Sequence, residues 1–394
     1  MKFKYITPDT RYSEFSGDSG CGEYYLVIEP QHRSPLIANS LKSVFREINN
    51  ALSELKLSTD DLVFSRIFLS DIANQKTTVE DSELFGFLRN GAVSVIEQPP
   101  ASGANMTLLL YFIKNGGLKK EPLSGGNDKW LNGIQLQSEN YTQYWHCNCS
   151  ASGELDSHRQ TKEIFDKYEN FLASKNITLS DNVIRTWIYV RDIDNHYLGM
   201  VQSRKKLFEE NGLNELTHYI ASTGIEARLK DVSTLVSMDV LAVDGLKDEQ
   251  ITYLEALEHL NPTHEYGVTF ERGTKISYGD REHYFISGTA SIDKNGDVVH
   301  VGDILKQTER TIENISALLS PHGAQISDMA YLIVYLRDFG NAETVKNKLS
   351  ELLDCEIPLI IVQGAVCRPQ WLIEIEGVGI RRNTTPFPEF FSNK

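Results

Sequence analysis

CRPQWLIEIEG, residues 367–377, is the last strand-like run of the chain before its tail. Successive side chains of a strand point to opposite faces, so Trp371, Ile373 and Ile375 face one way and Glu374 and Glu376 the other. Two acids therefore share one face. Against water they are ordinary solvated carboxylates. In a cleft or seam one of them is desolvated, and its pKa rises toward a value useful for donating a proton. Similar strands occur twice earlier in the chain without the same acids, which makes the surroundings of this one the feature to explain.

Working outward, this strand closes a unit that runs through the hairpin-like EHYFISGTASIDKNGDVV, with its turn at Lys294, Asn295 and Gly296. The helix QTERTIENISALLSPHG follows, then the turn and strand ISDMAYLIVYLRDF and the closing IPLIIVQGAVCRPQWLIEIEGVGI. The same order is found in WHCNCSASG, TKEIFDKYENFLASKN, ITLSDNVIRTWIYVRDI, the helical QSRKKLFEENG and HYIASTGIEARLKDVSTLVSMDVLAV. It is found again in EYYLVIEP, a helix bearing Leu41, Val44, Phe45, Ile48, Leu52 and Leu55, LVFSRIFL and VSVIEQPPASGANMTLLLYFI. Each copy has an Asp at the strand's entrance (Asp61, Asp181, Asp328) and another about ten residues on (Asp71, Asp192, Asp338). The reading is an α+β chain of three tandem β-α-β units, at 1–113, 141–243 and 275–382. Between them lie a Gly/Lys-rich linker at 114–140 and a connecting loop at 244–274 that carries Tyr266, Phe270 and Arg272; residues 383–394 form a tail.

With 394 residues, 41% apolar and 24% charged, the chain can bury more than one core. A net charge of −15 repels phosphate backbones and anionic membranes, so no nucleic-acid or membrane partner is expected, and an anionic substrate needs a local arginine cluster. Five scattered cysteines fit a reducing compartment rather than a disulfide framework. The opening MKFKYITPDTRYSEF has no apolar core of a signal peptide, and the expectation is a cytoplasmic protein. His146, Cys147 and Cys149 have metal-ligand chemistry but lack a second ligand pair, and Cys147 and Cys149 read as small core residues on one face of a strand.

The repeated unit with its closing segment resembles the YjgF/Rid superfamily, whose small members form trimers with an active cleft at each subunit seam. Three fused copies imply a single-chain pseudo-trimer that is monomeric, with internal seams. More narrowly, HYFISGTASI, IRTWIYVRDI, STGIEAR and CRPQWLIEIEG resemble the chorismatases, fused enzymes of this type that hydrolyse chorismate. The resemblance implies that Glu374 is the general acid. Thr107 and Ser237 stand near that position in the other copies, so one active site per chain follows. Cys367 is carried over as a second candidate catalytic residue, matching a position that accompanies the branch resembling 3-hydroxybenzoate synthases, and Glu376 stands where an aspartate is usual. Rid deaminases need an arginine early in the penultimate strand, a place assigned here to about Ile360.

Chorismate is a dianion with an enolpyruvyl ether, and its hydrolysis needs a proton delivered to the ether's methylene carbon. A carboxylic acid that stays neutral at pH 7 can supply it. Two substrate carboxylates call for arginines: Arg368, Arg272 and Arg185 come first, with Arg228 and Arg204 behind them. Tyr266 and Phe270 are expected to cover the substrate, and Gly288 and Thr289 to lie along it. No phosphate-binding loop, zinc motif or dinucleotide fingerprint is present, so no cofactor is implied. The rival readings are a Rid-type imine or enamine deaminase and a pseudo-trimer that only binds a small carboxylate.

Overall fold

The computed structural model describes residues 1–18, 20–30, 34–114, 117–125, 128–151, 153 and 155–391, with only the backbone of 124, 125, 128–131 and 266. The first unit contains β1 (Lys2–Thr7), β2 (Thr10–Ser16), β3 (Gly22–Ile28), α1 (Ile37–Leu55), β4 (Leu62–Leu69), α2 (Ile72–Glu80), α3 (Glu83–Leu88), β5 (Ala92–Glu97) and β6 (Met106–Lys114). The second contains β7 (Lys119–Gly125), β8 (Asp128–Gln137), β9 (Thr142–Ser150), α4 (Ser157–Ser174), α5 (Leu179–Asn182), β10 (Val183–Val190), α6 (Ile193–Glu210), β11 (Ala221–Glu226) and β12 (Val236–Asp244). The third contains β13 (Ile251–Tyr253), β14 (Gly273–Ser277), β15 (Arg281–Ala290), α7 (Ile304–Leu319), β16 (Met329–Leu336), α8 (Ala342–Leu352), β17 (Leu359–Gln363) and β18 (Ile373–Arg382).

Each unit is one six-stranded sheet of the same topology: β1-β2-β3-β6-β4-β5, β7-β8-β9-β12-β10-β11 and β13-β14-β15-β18-β16-β17. In each sheet one pair is parallel and needs a helical crossover; the other neighbours are antiparallel. The repeat extends to an irregularity. A register shift falls at Leu62/Phe64, Val183/Arg185 and Met329/Tyr331, so these strands bulge at the same place three times. In the first and third units the repeated aspartates also have a physical reason; in the second, Asn182 rather than Asp181 accepts the Thr178 N–H, and the Asp192 side chain caps no backbone N–H of α6. The carboxylates of Asp61 and Asp328 accept the backbone N–H of Ser58 and Gln325 at the turn into the strand. Those of Asp71 and Asp338 accept from Asn74 and Gly340 and start the next helical turn.

The helices lie on the outer faces. Ile312, Ile315, Leu318 and Leu319 of α7 are buried at helical spacing, and Asp303 caps its N-terminus by accepting from the Lys306 N–H. The inner faces of the three sheets meet along a shared axis, where the units exchange buried charges. Arg66 of the first unit lies 3.1 Å from Asp239 of the second and 3.7 Å from Glu376 of the third. Arg185 of the second lies 2.6 Å from Glu376, and the Tyr189 and Tyr335 hydroxyls donate to Asp239 and Glu376. The four charged side chains are at most 1% exposed, so only their mutual pairing makes burial tolerable.

Three expectations change. The stretch 114–140 is no plain linker, because β7 and β8 within it extend the second sheet; likewise 244–274 holds β13 and the start of β14. The turn at Lys294–Gly296 forms as read, with Gly296 at φ +84° and the Asp293 N–H donating to the Asp297 carbonyl, but its arms pair only through the Ile292–Val298 bridge and the Val299 N–H to Ser291 carbonyl bond rather than as a strand pair. Cys147 and Cys149 are both buried but face opposite ways, into the inter-unit core and toward the second unit's helices. Asn148 between them adopts φ +52° in a bulge, its N–H donating to Asp239, and the extra residue inverts the alternation.

Candidate active site

Glu374 is the second residue of β18, opposite Ala290 of β15 and Tyr335 of β16. Its carboxyl faces a cavity of ≈ 290 Å³ at the seam between the second and third units. The second unit contributes Tyr197, Leu198, Val201 and Arg204 from α6, and Ser222 and Gly224 from β11. The 267–272 stretch adds Val268, Phe270 and Arg272, and the third unit adds Gly288, Ala290, Cys367, Arg368 and Trp371.

Burial raises the Glu374 pKa to about 8, and the neighbouring Glu376 pushes the same way; Arg185 and Arg272 oppose them without winning. The acid is therefore largely protonated at pH 7. Its companion Glu376 is committed elsewhere, accepting from Arg185 at 2.6 Å, from Tyr335 at 2.8 Å and from the Thr223 hydroxyl. Two carboxyls on one strand face thus have separate duties, one opening into the cavity and one locking the axis.

The shape of the site depends on a bulge in β15. The register between β15 and β18 shifts between Ile286 and Thr289, and Gly288 N–H donates to Thr223 Oγ1 at 2.9 Å. A Cβ on Gly288 would overlap the Glu374 carboxyl, so a glycine here leaves room for the acid against the strand. The same bulge turns Thr289 away: it is buried, its hydroxyl donates to the Ser287 carbonyl, and it does not line the cavity, contrary to expectation.

Three arginines border the cavity. Arg272 donates to the Asn261 carbonyl at 3.0 Å and lies 5.5 Å from the Phe270 ring centroid. Arg368 lies over Trp371 at 4.8 Å, and Arg204 donates to Ser222 Oγ at 3.3 Å. Arg204, placed in the second rank by the sequence, is thus a wall of the site. Arg185 and Arg228 are not: Arg185 is consumed by Glu376, and Arg228 is half exposed at another seam, near Glu97 and Glu226. Phe270 lines the cavity as expected. Tyr266 lies in a short helical turn, and its side chain is outside the described residues.

Cys367 also lines the cavity. Burial and the adjacent Glu374 push its thiol up to about 12, although the Tyr197 hydroxyl donates to it. A neutral thiol is a poor nucleophile, so here it shapes the wall rather than attacks. The sequence reading did not single out Tyr197. Its signal was present, because Tyr197, Val201 and Arg204 repeat at one helix face and put an arginine on a face that is otherwise apolar or aromatic.

The strand that meets Glu374 across the seam belongs to the neighbouring unit. Trp187 pairs with Asp239 and Thr223 as Ile333 pairs with Glu376 and Ile360. The residue to ask about for a deaminase-type arginine is therefore Thr223 rather than Ile360, and it is not an arginine either. No group of three or more His, Cys, Asp or Glu suited to a metal ion occurs among the described residues. No described helix is long and apolar enough to cross a membrane.

A family model described as Endoribonuclease L-PSP matches residues 278–380. The 3-aminoacrylate deaminase RutC of Acinetobacter baylyi is 35% identical over 95 residues, 24% of this chain and 75% of that protein. A chorismatase of Streptomyces rapamycinicus is 29% identical over 218 residues, 50% of this chain; the match spans 64% of that relative's length. A crystal structure of a chorismatase matches 81% of this chain and 93% of its own, with a TM-score of 0.61 and 18% identity.

Proposed function

The chain belongs to the YjgF/Rid superfamily, and we propose that its acid-bearing seam makes it a chorismatase-like hydrolase. The substrate is chorismate or a related carboxylated enolpyruvyl ether. Protonated Glu374 delivers its proton to the methylene carbon, giving a methyl group and an oxocarbenium ion next to the ether oxygen. Water adds to that cation while Glu374, now ionised, takes a proton from it. The resulting hemiketal collapses to pyruvate and a cyclic acid.

The observation that carries this reading is the meeting of a neutral buried carboxyl with three arginines in one cavity. Arg204, Arg272 and Arg368 supply the fork geometry that two substrate carboxylates require, and Phe270 and Trp371 supply the apolar walls that keep bulk water from the cation. The chemistry is acid–base throughout, for which Glu374 and water suffice. Because the seams are internal to one chain, we further propose that the protein acts as a monomer.

Likeness to RutC keeps Rid-type deamination as the second reading. Against it stands Thr223 at the register where an arginine would be needed. Pyruvate release from chorismate, coupled to lactate dehydrogenase, tests the first reading, with Glu374→Gln as control. Release that disappears in the variant supports it. Release of ammonia from 2-aminoacrylate without pyruvate release from chorismate would replace it with the second, and ligand binding without turnover of either would leave a binding role.

A further inference from the structure

The seam between the third and first units holds a second cavity of ≈ 170 Å³, built at the register positions that form the active one. Leu359 and Ile361 of β17 line it. They correspond to Ser222 and Gly224 of β11, since Leu332 and Val334 hold the strand positions of Thr186 and Ile188. Ala342, Glu343 and Lys346 of α8 repeat the spacing of Tyr197, Leu198 and Val201 on α6. Arg11 pairs with Val27, as Arg272 pairs with Ser287 at the β15 bulge, so Arg11 stands in the place of Arg272. Thr107 lies opposite Phe68 as Glu374 lies opposite Tyr335. The threonine cannot act as a carboxylic acid; its hydroxyl donates to Glu29 Oε1 at 3.2 Å.

The second seam therefore has an arginine at the register position of Arg272 and a threonine, not an acid, at that of Glu374. We propose that its cavity is a non-catalytic binding site for an α-amino acid with an apolar side chain. Two cations, Arg11 and Lys346, face three anions, Asp9, Glu29 and Glu343, so the lining opposes a dianion and suits a zwitterion. The carboxylate is met by Arg11, the ammonium by Asp9 and Glu29, and the side chain by Val27, Leu359 and Ile361. Nothing in this assignment depends on the substrate of the first cavity.

Isothermal titration calorimetry of the full chain tests it, using L-leucine and L-phenylalanine. The half-ligands are 4-methylpentanoate, which lacks the ammonium, and 3-methylbutylamine, which lacks the carboxylate. The expected result is saturable binding of at least one amino acid, weakened about tenfold or more by Arg11→Gln and unchanged by Glu374→Gln. Each half-ligand should bind at least about tenfold more weakly. Should Arg11→Gln fail to fold, Ala101→Phe, which fills the cavity from a loop, serves in its place. The proposal is overturned by no saturable heat with either amino acid, by 4-methylpentanoate binding as tightly as L-leucine, or by a loss caused by Glu374→Gln rather than by Arg11→Gln, which would put the ligand in the first cavity.

Discussion

Replacing Glu374 by Gln should abolish proton delivery and at the same time stabilise the fold, increasingly so as the pH rises. The carboxyl titrates near 4.5 when unfolded and near 8 when folded, because burial and Glu376 disfavour its charge. Between those values the native state holds a proton that the unfolded chain has lost, so wild-type stability falls with pH by up to about 1.4 kcal/mol per unit. Above pH 8 both states are ionised and the fall stops. Gln fills the same space without the charge. From pH 5 to pH 9 the variant should therefore gain about 4 kcal/mol relative to wild type. Urea unfolding of both proteins across that range measures the difference. Parallel pH profiles would mean that Glu374 is not held neutral, and the proton-donor assignment would fall with it.

Gly288→Ala should leave the fold intact by circular dichroism and cost about a hundredfold in turnover, because the added methyl displaces the Glu374 carboxyl; a normal rate would refute the packing argument. Glu376→Ala leaves Arg185 and Arg66 buried without their shared anion and should destabilise by about 3–5 kcal/mol in chemical denaturation. A third variant probes acid stability. Burial alone would raise the Glu23 pKa, but His283, Arg281 and Tyr111 bring it down to about 2. The stability this carboxylate contributes is thus complete above its unfolded pKa near 4.5 and lost as pH falls toward 2; Glu23→Gln should flatten that limb of the stability curve.

The order of elements and the threefold repeat were legible because helix and strand periods are local, and the recurring aspartates mark turns that each copy must make. Glu374 was legible through its strand and its resemblance. What could not be read was where each side chain ends after three sheets close on one another. Arg185 lies in the apolar strand run VIRTWIYV and Arg204 in the charged helix run VQSRKKLFEE, and neither local sequence tells that the strand bulge sends Arg185 to the axis while a helix face sends Arg204 to the cavity. Asn148 hides a second bulge, with no composition signal that would have told the Cys147 and Cys149 faces apart. The segments 114–140 and 244–274 looked like connectors because β7 and β13 are edge strands and β8 lies next to an edge, where hydrophobic alternation is weak.

The buried charges on the axis have a consequence for how such a chain can diverge. Leu109, Asp239 and Glu376 occupy one register position in the three units, and Arg66, Trp187 and Ile333 another. In an assembly of three identical subunits, rotation would repeat each residue three times, so an acid at the first position would need a cation at the second in every subunit, and no unequal arrangement could arise. A covalently joined chain escapes that constraint. It can place an arginine in one unit and its acids in the other two, so that each unit has a fixed left and right neighbour. The same freedom lets one seam place a buried glutamic acid where another places a threonine, and mutations in one cleft are no longer copied into the others.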